Sequence, residues 1–180
     1  MQKMITKLAV NIKSANPEET ASIAILQYAL TLIINTFFVF FLSNVIGFIT
    51  GKLTETLILF IVICIFRFFS GGKHFKSAIA CNLFSIALCT VLPHISSYTE
   101  HYIWFFNFFA LVVMLLYAPN PDKNSNLPLK LYPIWKAIAV NIVLINFFLR
   151  SPTWGLAFFV QSLFVVPWKG GDFHYEEGCS

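Results

Sequence analysis

The chain is 180 residues long, 58% hydrophobic and only 11% charged, with a mean hydropathy of +0.76, whereas soluble domains carry roughly 25% charge. Such a composition belongs in a bilayer, and no polar stretch is long enough for a second folded domain, so residues 1–180 read as one integral membrane domain. The net charge of +4 comes without a Gly-rich phosphate loop, basic repeat or aromatic-basic alternation, which excludes nucleic acid as the expected partner.

Residues 1–16 do not read as a cleavable signal, because the apolar run that follows is far too long for an h-region. Met4, Ile5, Leu8, Ala9 and Ile12 recur at helical spacing while Lys3, Lys7 and Lys13 are available to headgroups, the pattern of an amphipathic helix lying in the interface. A disordered basic leader is the alternative. Residues 21–49 exceed the roughly 20 needed to span, so this segment tilts or projects. Residues 57–69 cover only about 20 Å of a core of about 30 Å, and read either as a span lengthened through Leu53 or as a re-entrant half-helix. Residues 78–93, 101–118, 131–149 and 154–166 complete six apolar segments, with breaks expected at Pro93, Pro119, Pro121, Pro128, Pro152 and Pro167. The expected architecture is therefore all-α and polytopic: about six hydrophobic helices, or four spanning and two re-entrant, behind an amphipathic N-terminal helix.

Strict alternation of six crossings from an inside N-terminus puts Lys3, Lys7, Lys13, Arg67, Lys73, Lys76, Lys123, Lys130, Lys136 and Lys169 on the cytoplasmic side, leaving Lys52 and Arg150 outside. Ten to two is the asymmetry of the positive-inside rule. It predicts a multi-pass membrane protein with both termini, including a tail at 170–180, and the region of His74 and Cys81 on the cytoplasmic side.

Chemistry concentrates between Arg67 and Cys81. Imidazole and thiol together are the parts of a cysteine nucleophile, and His74 and Cys81 follow a Gly71-Gly72 pair with Arg67, Lys73 and Lys76 close in sequence. A continuous helix from His74 to Cys81 would turn through about 700° but separate the two by about 10.5 Å, whereas nucleophile and base must approach within roughly 3 Å. Ser77 offers a solution as an N-cap that starts the helix there and leaves residues 71–76 irregular. A second protomer supplying His74, and hence a homodimer, is the other.

The residues keep blander readings beside these. Cys64 and Cys89, inside apolar runs, read as small packing hydrophobes, and Cys81 has the same alternative. Arg67 either pairs or snorkels to the interface, or else holds a substrate carboxylate or an oxyanion. No Asp or Glu lies between Glu55 and Glu100 to orient a histidine, so Gln27 or Asn35 would have to serve if they are not simply hydrogen bonds between helices. His74, Cys81, Cys89 and His94 fit no zinc spacing, so neither metal nor cofactor is expected.

The arginine, the Gly-Gly-x-His and the cysteine seven residues beyond, at Arg67, Gly71, Gly72, His74 and Cys81, resemble AgrB, the accessory gene regulator B family of bacterial quorum-sensing membrane peptidases. Tyr117-Ala118-Pro119, followed by a polar loop that runs to Pro128, is similar to that family as well. The resemblance implies a cysteine endopeptidase that cleaves an AgrD-type precursor peptide on its C-terminal side, with Cys81 as nucleophile and His74 as base and then acid. It further implies an acyl-enzyme thioester passed to a precursor cysteine, giving a thiolactone pheromone. Lys73, Lys76, Lys123 and Lys130 are then candidates to hold an acidic recognition segment, unless they serve topology alone. A membrane substrate-binding component of a transporter is the competing class, and it predicts no covalent intermediate.

Overall fold

A computed structural model describes residues 2–72, 77–120 and 128–167. Among these residues there are seven α-helices and no strand. The first, α1 (Gln2–Ala15), is amphipathic. It buries Ile5 and Ala9 against α2 (Ile23–Ile49), leaving Met4, Leu8 and Ile12 exposed along a neighbouring stripe. Two polar ties fix it there: the Gln27 amide donates to Thr6 at 3.0 Å, and the Lys13 ammonium reaches the carbonyls of Pro17 and Thr20 at 2.6 and 2.7 Å.

The remaining elements are α3 (Leu53–Ser70), α4 (Ala78–Ile95), α5 (Ile103–Tyr117), α6 (Tyr132–Leu149) and α7 (Pro152–Val165). The second apolar segment thus takes the longer of its two options, starting at Leu53 as an 18-residue helix, about 27 Å long. Pro93 does not break the fourth helix, which runs two residues past it. A proline that near a helix end costs one backbone hydrogen bond in a turn that is already ending, and the chain tightens into a 3-10 turn only at Ser96–Tyr102.

Four stretches have the length and hydropathy to cross a membrane: Ile23–Ile49, Leu53–Ser70, Ile79–Tyr117 and Leu129–Leu149. The protein is a membrane protein. The third stretch is two legs rather than one rod. A straight helix of its 39 residues would be almost 60 Å long. Yet Phe84 in α4 packs its ring 4.9 Å from Phe164, and Asn120, just past α5, bonds to the neighbouring Val165 carbonyl. The reversal occurs in the 3-10 turn. At that far end, Thr153 donates to Ser96 at 2.9 Å, Asn146 donates to Asn107 at 2.9 Å, and Arg150 lies over the Trp104 ring. Helices α2 to α7 therefore alternate in direction.

The innermost helix is the shortest of them. In α7, Gly155, Leu156, Ala157, Phe158, Gln161, Ser162 and Val165 are buried, packed against α3, α4, α5 and α6. Phe66, Ala110, Met114, Val143 and Phe158 form the main apolar core around it. Large side chains such as Phe37, Phe41, Phe48 and Phe148 face outward, as lipid contact requires. Small residues set the closest approaches, because a Cβ on Gly47 would lie 2.8 Å from the Thr56 hydroxyl and one on Gly155 would lie 3.2 Å from the Asn107 amide.

Candidate active site

The C-terminal ends of α3, α5 and α7 converge at one end of the bundle, where the chain leaves α3 through two glycines. Gly71 has φ +70 and Gly72 φ +124, a region that residues with a Cβ rarely adopt. Space adds a second reason at Gly72, where a Cβ would stand 3.2 Å from the Phe164 carbonyl of α7. The turn is pinned on one flank by Asn120, whose backbone N–H donates to Ser70 at 3.0 Å and whose carbonyl accepts from Gly72 at 2.8 Å, an isolated parallel bridge. The Asn120 side chain donates to the Val165 carbonyl at 3.1 Å, and so satisfies one of the open carbonyls at the end of α7.

Gln161 pins the other flank. Its amide is almost wholly buried, 1% exposed, yet both ends are used: Nε2 donates to the Gly71 carbonyl at 3.0 Å, and Oε1 accepts from Arg67 Nη1 at 3.3 Å. Arg67, in the last turn of α3 and half-buried, thus takes the pairing option rather than simply snorkelling. Its backbone carbonyl also accepts from Gly71 at 2.9 Å and closes the helix.

Cys81 is half-buried one turn into α4. Its backbone N–H donates to the Ser77 carbonyl at 3.1 Å, and its carbonyl accepts from the Ser85 hydroxyl at 2.9 Å. Ser77 is extended at the N-cap position, as expected, although its hydroxyl makes no capping hydrogen bond. With Gly71, Gly72 and Ser77 all non-helical, no continuous helix joins α3 to Cys81. His74, Lys73, Lys76 and Lys123 lie outside the described residues. Lys130 is exposed in the short 3-10 turn Leu129–Leu131 before α6.

The two amides offered as orienting groups have structural partners. Gln27 ties α1 to α2, while Asn35 accepts from Asn82 in α4 at 3.3 Å. Cys89 is in the apolar core and Cys64 packs against it, as the sequence suggested. The residues that sequence reading missed are Gln161 and Asn120. For Gln161 a signal existed: an amide inside an apolar helix is costly unless it is paired.

The sequence pattern of AgrB, accessory gene regulator B, matches residues 1–166. The chain belongs to the accessory gene regulator B family. Among relatives, it is 26% identical to an AgrB-like protein of Halalkalibacterium halodurans over 104 residues, which covers 58% of this chain and 52% of that one. It is 28% identical to protein FsrB of Enterococcus faecalis over 107 residues, 58% of this chain and 44% of the relative. The chain thus spans about half the length of the curated relatives it matches. No solved structure gives a significant match. For this AgrB-family chain, Arg67, the glycine pair and Cys81 sit at one end of the bundle, beside the ends of α5 and α7.

Proposed function

We propose that this chain is a membrane cysteine endopeptidase of a quorum-sensing system, which processes an AgrD-type precursor peptide at the cytoplasmic face of the bacterial membrane. The observation that carries the reading is the position of Cys81 in the first turn of α4, with a rigid glycine turn a few residues upstream. With α4 starting after a non-helical Ser77, the roughly 10.5 Å separation of a regular helix is not imposed on His74 and Cys81.

In the proposed reaction His74 takes the Cys81 thiol proton, and the sulfur attacks the carbonyl of the scissile peptide bond. Collapse of the tetrahedral intermediate breaks the C–N bond as His74 returns the proton to the leaving amine, and leaves the N-terminal part of the precursor as a thioester on Cys81. A precursor cysteine then attacks that thioester. One C–S bond forms as another breaks, the proton passes to Cys81, and a thiolactone leaves without any need for ATP. Arg67 stands at the same end of the bundle, and Lys73, Lys76, Lys123 and Lys130 supply positive charge for an acidic C-terminal segment.

The test is cleavage of a matched precursor in reconstituted vesicles. Cys81→Ala and His74→Ala should each abolish release of the C-terminal fragment while membrane insertion is unchanged. Normal processing by Cys81→Ala would remove the nucleophile from the scheme.

A further inference from the structure

We propose that Gln161 and Asn120 are positioning residues for the proposed dyad, holding the Gly71–Gly72 turn from which the chain continues to His74. This rests on the dyad reading above. Burying an amide in an apolar helix is unfavourable unless both of its ends are paired. At Gln161 both are, and the two partners, Arg67 and Gly71, belong to the same turn of chain. That fixes the direction of the amide, since reversing it would set the NH2 against the guanidinium and the oxygen against a carbonyl. Asn120 grips the same turn from the opposite side through its backbone, while its side chain is anchored on the end of α7.

The arrangement adds nothing to apolar burial, because leucine at 161 would suit the core of α7 at least as well. Its effect is on geometry. Gly72, held from both sides, is the last described residue before the segment that carries His74. Cys81 is fixed independently by α4. A nucleophile and base that must meet within about 3 Å gain from having both origins immobilised, and a misplacement of about 1 Å can cost on the order of 100-fold in rate.

The experiment uses the full-length chain in detergent with Cys64, Cys89 and Cys179 replaced by alanine, so that Cys81 is the single thiol. The iodoacetamide alkylation rate at about pH 7 is divided by the rate at about pH 10, which reports thiolate formation with accessibility cancelled. His74→Ala should lower this ratio roughly tenfold, and Gln161→Met and Asn120→Ala should each lower it several-fold, with thermal unfolding measured for every variant. Neither should lower it further when combined with His74→Ala. If His74→Ala lowers the ratio and the two positioning variants leave it unchanged, the inference fails and the dyad stands. If their effects persist undiminished on top of His74→Ala, they act independently of the histidine and the inference also fails. No effect of His74→Ala would sink the dyad itself, and this inference with it. Should Gln161→Met fail to fold, Gln161→Glu takes its place, because it keeps an acceptor for Arg67 and loses the donor to the Gly71 carbonyl; an unchanged ratio in that variant would overturn the inference.

Discussion

At Gly72, a backbone φ of +124 coincides with a wall of helix backbone, so conformation and space both demand the absence of a side chain. Gly72→Ala should therefore cost about 1–3 kcal/mol and lower precursor cleavage more than it lowers folding, seen as a drop in unfolding temperature together with a larger loss of rate. The cysteines give the opposite expectation. Cys64→Ala and Cys89→Ala alter the apolar cluster around Val39 and Phe60, far in role from the turn, and should keep most processing activity in the same vesicle assay. Arg67, the glycine pair and Cys81 were legible because they form a short motif whose chemistry is written in adjacent letters. Gln161 was not, because its hydrogen-bond partners lie 90 and 94 residues away in sequence, and one amide in an apolar run has no periodicity to betray its direction. Asn120 acts mainly through its backbone, which sequence does not record.

Among the helices, hydropathy revealed where each one lies but not which lies innermost. Six apolar segments look alike in composition, yet α7 is wrapped by four others, while α2 exposes a row of phenylalanines. The difference comes from small and polar residues, Gly155, Ala157, Gln161 and Ser162, which allow close approach and cross-helix bonding. Pro93 departs from the boundary that proline signals in a sequence, because within a last turn it removes a bond that the helix can spare. The contact of α2 with α3 provides a test at this scale. Gly47→Val would drive its Cβ to within 2.8 Å of the Thr56 hydroxyl, so it should push the two helices apart and destabilise the fold by about 1–3 kcal/mol. Thermal unfolding in detergent, against a Phe41→Val control on the outward face of α2, would check it; equal stability of the two variants would count against the packing.

For the whole molecule, the alternating bundle gathers the described cations Lys3, Lys7, Lys13, Arg67, Lys130 and Lys136 toward the end that holds Cys81, and sends Lys52 and Arg150 to the other. The account expects that first end to be cytoplasmic. Single cysteines at positions 13 and 130 should then label only from the inside of sealed vesicles, and those at 52 and 150 only from the outside; the reverse pattern would invert the topology. This much was readable from the order of charges and apolar runs, whereas the convergence of three helix ends on one glycine turn required the fold. The most direct measurement of the central claim is the intact mass of the enzyme after rapid acid quenching with a precursor whose internal cysteine is alanine. The account predicts an adduct of the precursor's N-terminal part on Cys81, removed by hydroxylamine and absent in Cys81→Ala. Release of the C-terminal fragment with no hydroxylamine-sensitive adduct at any quench time would contradict it.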